Sequence, residues 1–389
     1  MNFRFGIEHE VAFLRADGQF ADFANTSFAE LESIVAQLPQ YEEDYSDLRI
    51  GDAGIKLKRW YIEGFERFDM TGEVVDCPPK GIEIRTTVCD GIDEAITQLT
   101  ESFCQLSTHA RSAGFTPALV SFNPYHSAFA PNPPLNVFEQ QRRRESPEMQ
   151  TAHIPMLTQG PDLNLSAAGL STQQIIDIGR KLTYYSPFII PFSYSAPFYE
   201  GRAWSGLSVR TFQRTGARPA AMVFVADETD LIDSTPSLTQ IARLPAEVGR
   251  IEFKAFDSCG DFDLYASLCA LLKGLALDNT LPGRTTIPDA KLHQRSARLG
   301  FADDYIYQQA LKIVEAAYSA LVGDHDQVRL LKLKRALTHR HCLAKDMLLA
   351  YQQGHSIEHI MSNSYSVETS QSLLTPKEMS LAGLAKTVR

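Results

Sequence analysis

The stretch Phe5-Gly6-Ile7-Glu8-His9-Glu10-Val11-Ala12-Phe13-Leu14 is apolar around a short charged interruption. Read as a β-strand, whose side chains alternate between faces, it puts Glu8 and Glu10 on one face and His9 on the other. Further on, Ser27 and Glu30 have capping-box spacing ahead of Leu31, Ile34, Val35 and Leu38, which predicts a helix ending near Pro39. Aromatic and apolar residues interleaved with charges over Ile55 to Phe68 predict a long strand or hairpin, with Glu63 and Glu66 on opposite faces. Cys77-Pro78-Pro79-Lys80 reads as a turn leading into an alternating strand, Gly81 to Thr87, that sets Glu83, Arg85 and Thr87 together. Asp90 then caps a helix from about Ile92 to Arg111, closed by Gly114.

Phe115 to Phe122 returns as a strand, after which the periodicity breaks from Asn123 to Thr151, a segment carrying five prolines. A loop of that length in a compact domain is usually functional, and a substrate-gating lid is the expected role. Gly160 to Ser166 alternates again and presents Asp162, Asn164 and Ser166 together; Ser171-Thr172 caps a helix to about Tyr185, which Pro187 and Pro191 bend or stop. Gly206 to Arg214 is expected as a strand with Ser208, Arg210 and Phe212 in phase, and Gly249 to Asp257 as another with Glu252 and Lys254 in phase. Helical periodicity dominates thereafter, near residues 264–277, 305–321 and 327–351. Strands both adjacent and interrupted by helices suggest an α+β layout with a largely antiparallel sheet. The expected organisation is one catalytic domain over residues 1–355 and a polar C-terminal tail over 356–389.

Composition narrows the partners. The chain has 389 residues, 44% hydrophobic and 22% charged, with a net charge of -10, so neither a broad phosphate-backbone footprint nor a nucleic-acid partner is expected. Arg142-Arg143-Arg144 reads as a solvated loop. No apolar run reaches the ~20 residues that span a bilayer and no signal-peptide pattern precedes the first strand, so no membrane partner and a cytoplasmic location are expected. The six cysteines show no CxxC pair and are expected as free, mostly buried thiols.

Five predicted strands each carry an inward-capable polar pair: Glu8 with Glu10, Glu83 with Arg85, Asp162 with Asn164, Ser208 with Arg210, and Glu252 with Lys254. Two carboxylates at roughly 6 Å repel by about 3 kcal/mol at an effective dielectric of about 20, which a cation must offset if both stay ionised. Glu8, Glu10, Glu83, Glu252 and Asp162 could therefore hold two or three Mg2+ ions, with Arg85, Arg210 and Lys254 facing anionic oxygens. Ordinary cross-strand salt bridging on a wet sheet face is the alternative. Neither a P-loop nor a GxGxxG fingerprint is present.

Phe5-Gly6-Ile7-Glu8-His9-Glu10 resembles the G-[IV]-E-x-E opening strand of the glutamate-cysteine ligase superfamily, which includes the bacterial carboxylate-amine ligases. Gly81-Ile82-Glu83-Ile84-Arg85-Thr86 resembles its second acidic strand, and Gly160-Pro161-Asp162-Leu163-Asn164 its G-x-H-x-[HN] strand. Ser208-Val209-Arg210 stands where the family has an arginine after its long helix, and Arg250-Ile251-Glu252-Phe253-Lys254 resembles its R-x-x-E-x-R strand. The resemblance implies about six mainly antiparallel strands curved into a funnel like that of glutamine synthetase, with helices on its outer face. It implies ATP-dependent formation of an amide, a γ-glutamyl one if glutamate is the carboxylate, through an acyl phosphate attacked by an amine. ATP and Mg2+, or Mn2+, would be the cofactors, and a homodimer is possible. Glu8, Glu10, Glu83, Asp162 and Glu252 would be the metal ligands; Arg210, Lys254 and Arg85 would act on the transferring group; Asn164, Ser208 and Arg85 would bind substrate or nucleotide. Asp162 replaces the family's usual histidine and Lys254 its usual arginine, a point charge where a bidentate fork is expected. A small-molecule kinase, or a silent binding protein on the same fold, is the alternative.

Overall fold

The computed structural model describes residues 2–41, 59–243 and 245–367. Its sheet is built on β1 (Phe3–Arg15), whose odd-numbered side chains from Phe3 to Val11 are buried while the even ones are partly open, as the alternation dictates. The remaining strands are β2 (Phe20–Ala21), β3 (Trp60–Gly64), β4 (Pro79–Arg85), β5 (Phe115–Ala118), β6 (Pro161–Ala167), β7 (Ala221–Val225), β8 (Thr239–Ile241) and β9 (Ile251–Phe253). They form a nine-stranded sheet curled into a half-barrel, in the order β8-β7-β9-β6-β1-β4-β3, with β2 and β5 pairing the far end of β1. The fold is α+β, but the expected six mainly antiparallel strands are corrected to nine in a mixed sheet: β7 runs parallel to β8, and the other pairs are antiparallel. Strands of two or three residues have no alternation long enough to read in a sequence.

The apolar face of β1 packs beneath helices. Those that matter for the site are α1 (Phe28–Val35), α2 (Ile92–Ser112), α3 (Val137–Arg142), α4 (Thr172–Ile189), α5 (Val209–Arg214) and α6 (Phe262–Leu277). Ser27 and Glu30 form the predicted capping box of α1. One continuous core joins Phe5, Ile7 and Val11 of β1 to Leu99 and Phe103 of α2 and to the buried length of α6. His9 sits in this core, completely buried, with Nδ1 2.9 Å from the Tyr265 hydroxyl and Nε2 3.1 Å from that of Tyr365. Burial pushes its pKa down to about 3, so it is a neutral structural histidine.

Several expectations change here. Gly206 to Arg214 is not a strand: Ser208 caps α5 by accepting from Thr211 N, so Arg210 projects from a helix. Pro187 lies within α4, which runs to Ile189 before a 3-10 turn, Ile190–Ser193. The Asn123 to Thr151 segment holds α3 and a further helical turn, Pro147–Gln150, both capped by side chains. The predicted Gln327 to Tyr351 helix is broken, with Arg340 at φ 47 between Leu330–Thr338 and Leu343–Gln352. Residues 356–367, placed by sequence in a polar tail, include a helix at Ile357–Ser362 whose Ile357, Ile360 and Met361 are buried, and they bring Tyr365 to His9. Residues 55–58 of the predicted strand, and Leu373, Leu374 and Leu381, lie outside the described residues. The six cysteines are free thiols, five of them buried. No helix among the described residues is long and apolar enough to cross a membrane.

Candidate active site

The concave face of the half-barrel encloses a cavity of about 730 Å³. Strand register decides what lines it. β1 pairs β4 so that Glu10 lies opposite Glu83 and Glu8 opposite Arg85, while on its other side Glu8 faces Asp162 and Gly6 faces Asn164 of β6. Glu252 of β9 is opposite Asn164 in turn. Like charges set directly opposite in a sheet are destabilising, and the Glu10–Glu83 pair is of that kind.

The carboxylates divide into two groups. Glu10, Glu63 and Glu83 each bring an oxygen within 4.8 Å of the others. Glu10 accepts from Lys80 Nζ at 2.8 Å and from Gly160 N at 2.9 Å, Glu83 pairs with Arg85, and Arg85 in turn lies over the Tyr61 ring, 4.5 Å from its centroid. The second group is Glu8, Asp162 and Glu252. Lys254 bridges Asp162 and Glu252, and Arg250 reaches Glu252 at 3.1 Å, Glu247 at 2.9 Å and Glu8 at 3.6 Å. Asn164 ties this group together, donating to Glu8 at 3.2 Å and accepting from Arg250 at 3.1 Å.

Even so partnered, four of these carboxylates resist ionisation. Burial pushes Glu83 up to about 8, with Glu63 and Glu10 adding to the effect and Arg85 opposing it. Burial likewise carries Glu8 to about 7, reinforced by Glu83, and Glu252 to about 7 against the pull of Lys254; Glu63 is raised for the same reason. Asp162 moves the other way: burial opposes its charge, but the Lys254 ammonium holds it below the usual range. Proton affinity of this kind marks negative charge that the protein's own cations do not fully compensate. Oxygen-rich sites of this sort suit a hard divalent cation, and the Glu10, Glu63 and Glu83 set fits one.

Every sequence-predicted residue but one reaches the cavity. Glu8, Glu10, Glu83, Arg85, Asp162, Asn164, Arg210, Glu252 and Lys254 all line it. Ser208 does not: it is fully buried behind the wall, where its hydroxyl donates to Asp257 at 3.1 Å and caps α5, so its expected ligand-binding role is replaced by one of fixing Arg210. Arg210 donates to the carbonyls of Lys254 and Ala255 at 3.1 and 3.3 Å and stands 3.8 Å from Asp257. Sequence reasoning missed Glu63, Lys80 and Arg250 as members of the site. Lys80 was placed in a turn, whereas β4 begins at Pro79 and buries it. Arg250 had been quoted in the motif of its strand, which was the available signal.

No protein-family model matches the chain, and no curated protein matches its sequence. Solved structures do. A bifunctional glutathione synthetase from Pasteurella multocida superposes with a TM-score of 0.56 at 11% identity, over 95% of this chain and 53% of that one, so the chain spans about half of its length. A glutamate-cysteine ligase from Francisella tularensis, solved in complex with AMP, gives 0.55 at 11% identity over 98% of this chain and 91% of the other. The ligase PafA, in complex with the prokaryotic ubiquitin-like protein Pup, gives 0.54 at 12% identity over 98% and 79%. The chain has the fold of the carboxylate-amine ligases, as its opening motif implied. At these identities the likeness is one of fold.

Proposed function

We propose that the chain is an ATP-dependent carboxylate-amine ligase, with glutamate as the carboxylate and a γ-glutamyl amide as the product. The observation that carries this reading is the register of β1 against β4, which sets Glu10 opposite Glu83 with Glu63 beside them, inside a cavity also lined by Arg85, Arg210 and Lys254. Opposed buried carboxylates are poorly explained as scaffold and well explained as ligands for Mg2+, or Mn2+, shared with nucleotide phosphates.

Glu10, Glu63 and Glu83 would hold the divalent cation, with Glu8 of the same strand as Glu10 and Glu252 of β9 lining the same cavity. Bound there, a divalent cation supplies neutralisation of phosphate charge and orientation of the transferring group. Arg210 is held rigid by two backbone carbonyls, and a preorganised cation stabilises charge that develops on a transferring phosphoryl group without reorganising. Lys254 is engaged by Asp162 and Glu252, so it acts from a fixed position as a point charge. Arg85 does the same from β4, braced by the ring of Tyr61.

The test is release of ADP from Mg-ATP in the presence of glutamate, with and without each of a panel of amines. Amine-dependent ADP release together with a new amide supports the ligase. A phosphorylated product that persists in the presence of every amine would make the chain a kinase instead.

A further inference from the structure

Two sets among the cations that line the cavity differ in their partners. Lys80, Arg85, Arg250 and Lys254, which rise from the sheet, are each in an ion pair with a carboxylate. At one end of the cavity stand four others, Arg142, Arg143, Arg214 and Arg218, and among the described residues none of these is in an ion pair. Arg214 donates only to the carbonyl of Pro219, at 3.3 Å. Arg218 donates to the carbonyl of Glu148 at 3.0 Å and to the Thr151 hydroxyl at 3.3 Å, and Arg143 to the carbonyl of Met149 at 3.5 Å. Neutral acceptors satisfy these hydrogen bonds, and carboxylates offset the charges only from beyond ion-pair distance, Glu139 and Glu66 for Arg143, and Glu148, Asp162 and Glu63 for Arg218.

These guanidinium groups are held in place. Glu139 of α3 is buried and grips Arg67 with both oxygens, at 2.7 and 3.1 Å, and Phe68 N at 2.9 Å, which fixes α3 to the ribbon carrying Phe65 and Phe68. Arg142 then lies over the Phe68 ring and Arg143 over the Phe65 ring, each 4.2 Å from the centroid. The sequence reading of this run as a solvated loop is thereby corrected for its first two members. From the opposite side, Arg214 is nine-tenths buried, and a neighbouring pocket of about 20 Å³, lined by Thr211, Arg214 and Arg218, has room for one small atom group. Burial first, and then mutual repulsion with Arg210 and Arg218, weakens the proton affinity of Arg214.

Glu66 and Glu148 line the cavity together with these four guanidinium groups, and among the described residues neither is in an ion pair with any of them. A buried or half-buried cation without an anion is costly, and an anionic ligand there gains charge-assisted hydrogen bonds that the protein does not satisfy itself. The end adjoins the reaction centre, since Arg214 feels the charge of Asp162 and Glu10, and Arg218 that of Asp162 and Glu63.

We propose that this arginine end selects the amine acceptor, and that the acceptor carries at least two negative charges, as two carboxylates or a phosphate group. The inference rests on the ligase reading for the word acceptor, whereas the anion preference itself is a property of binding. The experiment is calorimetric titration of the full chain, saturated with glutamate and a non-hydrolysable Mg-ATP analogue, with two charge series. One is L-aspartate, L-asparagine and the diamide of aspartate; the other is O-phosphoethanolamine and ethanolamine. In at least one series, the member with two negative charges is expected to bind tenfold or more tighter than the member that lacks both. Arg142→Gln and Arg143→Gln, whose guanidinium groups make ring contacts and one long hydrogen bond, should close that gap while leaving glutamate and nucleotide affinities unchanged. Equal affinities within both series, or a gap that survives in the variants, would overturn the proposal. ADP release with neutral amines as fast as with acidic ones leaves the ligase standing and removes this inference. A charge gap that holds while no amine triggers ADP release removes the ligase and keeps the anion site.

Discussion

The guanidinium group of Arg210 lies against the backbone of Gly160, where a methyl group would meet Nη2 at 2.1 Å. The Gly160 N–H donates to Glu10, so one glycine joins a cation of the cavity to a carboxylate of the Glu10, Glu63 and Glu83 cluster. Gly160→Ala should displace Arg210 and lower kcat by about 10²-fold, the scale for losing a preorganised donor. Arg210→Ala should do the same, and the double variant should be no worse than either single one. Additive losses in kcat would separate the two residues.

Glu83→Gln should have opposite effects on binding and on stability. Mg2+ affinity should fall more than tenfold, about 1.4 kcal/mol, through loss of a ligand. Above about pH 8, where Glu83 of the native chain has lost its proton, the metal-free variant should melt at the higher temperature, because a buried charge opposed to Glu10 has gone. Calorimetry and thermal denaturation in chelator report the two quantities separately; unchanged Mg2+ affinity would place the metal elsewhere.

Stability without a divalent cation should depend on pH in an unusual sense. Glu8, Glu83 and Glu252 hold their protons to about 7, 8 and 7 in the folded chain, against about 4.3 for an ordinary glutamate. The folded state therefore binds more protons than the unfolded state from about pH 4.5 to 8, and stability declines as pH rises through that window. Melting curves in chelator should shift downward from pH 5 to pH 8, and Mg2+ should reverse the loss at pH 8 while changing little at pH 5. A flat profile would show that the carboxylates are already compensated.

Lys254 is both scaffold and candidate electrophile. Its removal in Lys254→Ala leaves Asp162 and Glu252 facing each other, and breaking a buried pair of this kind costs about 3–5 kcal/mol. Urea denaturation should register that loss. A companion measurement of kcat on the folded fraction decides whether the ammonium also contributes to the reaction; normal turnover there would leave Lys254 a scaffold residue.

Tyr365→Phe removes the partner of His9 Nε2 and should destabilise by about 1 kcal/mol. Because His9 lies between Glu8 and Glu10, the variant should also weaken Mg2+ binding slightly, with no change in amine selectivity. Denaturation and Mg2+ titration on one preparation test this.

The carboxylates of the first strand were legible because a period of two is unambiguous over nine residues with buried odd positions. Glu63 was not, since β3 ends in a register shift between Glu63 and Gly64 and nothing in the sequence says which face meets the cavity. At Ser208 to Arg214 two short-range signals conflict: alternation of Ser208, Arg210 and Phe212 suggests a strand, while Ser208 three residues before Thr211 suggests a cap. Six helical residues are too few for periodicity to settle it, and the hydrogen bond from Ser208 to Asp257 is a contact across 49 residues that no local pattern contains. The unpaired state of Arg143 and Arg214 was likewise invisible, because it depends on which distant carboxylates fail to arrive.

Of the sheet's strands, the one earliest in this sequence is an interior one. Its two edges are hydrogen-bonded by residues 79–85 and 161–167, and the underside of its histidine is closed by Tyr365. On the ribosome, β1 must therefore wait through more than 150 residues of synthesis before both edges are covered. During that interval a nascent chain exposes an apolar strand able to pair with its neighbours on a polysome. Chains released before residue 161 should collect in the insoluble fraction, and the yield of soluble protein should rise when holdase chaperones are supplied during translation.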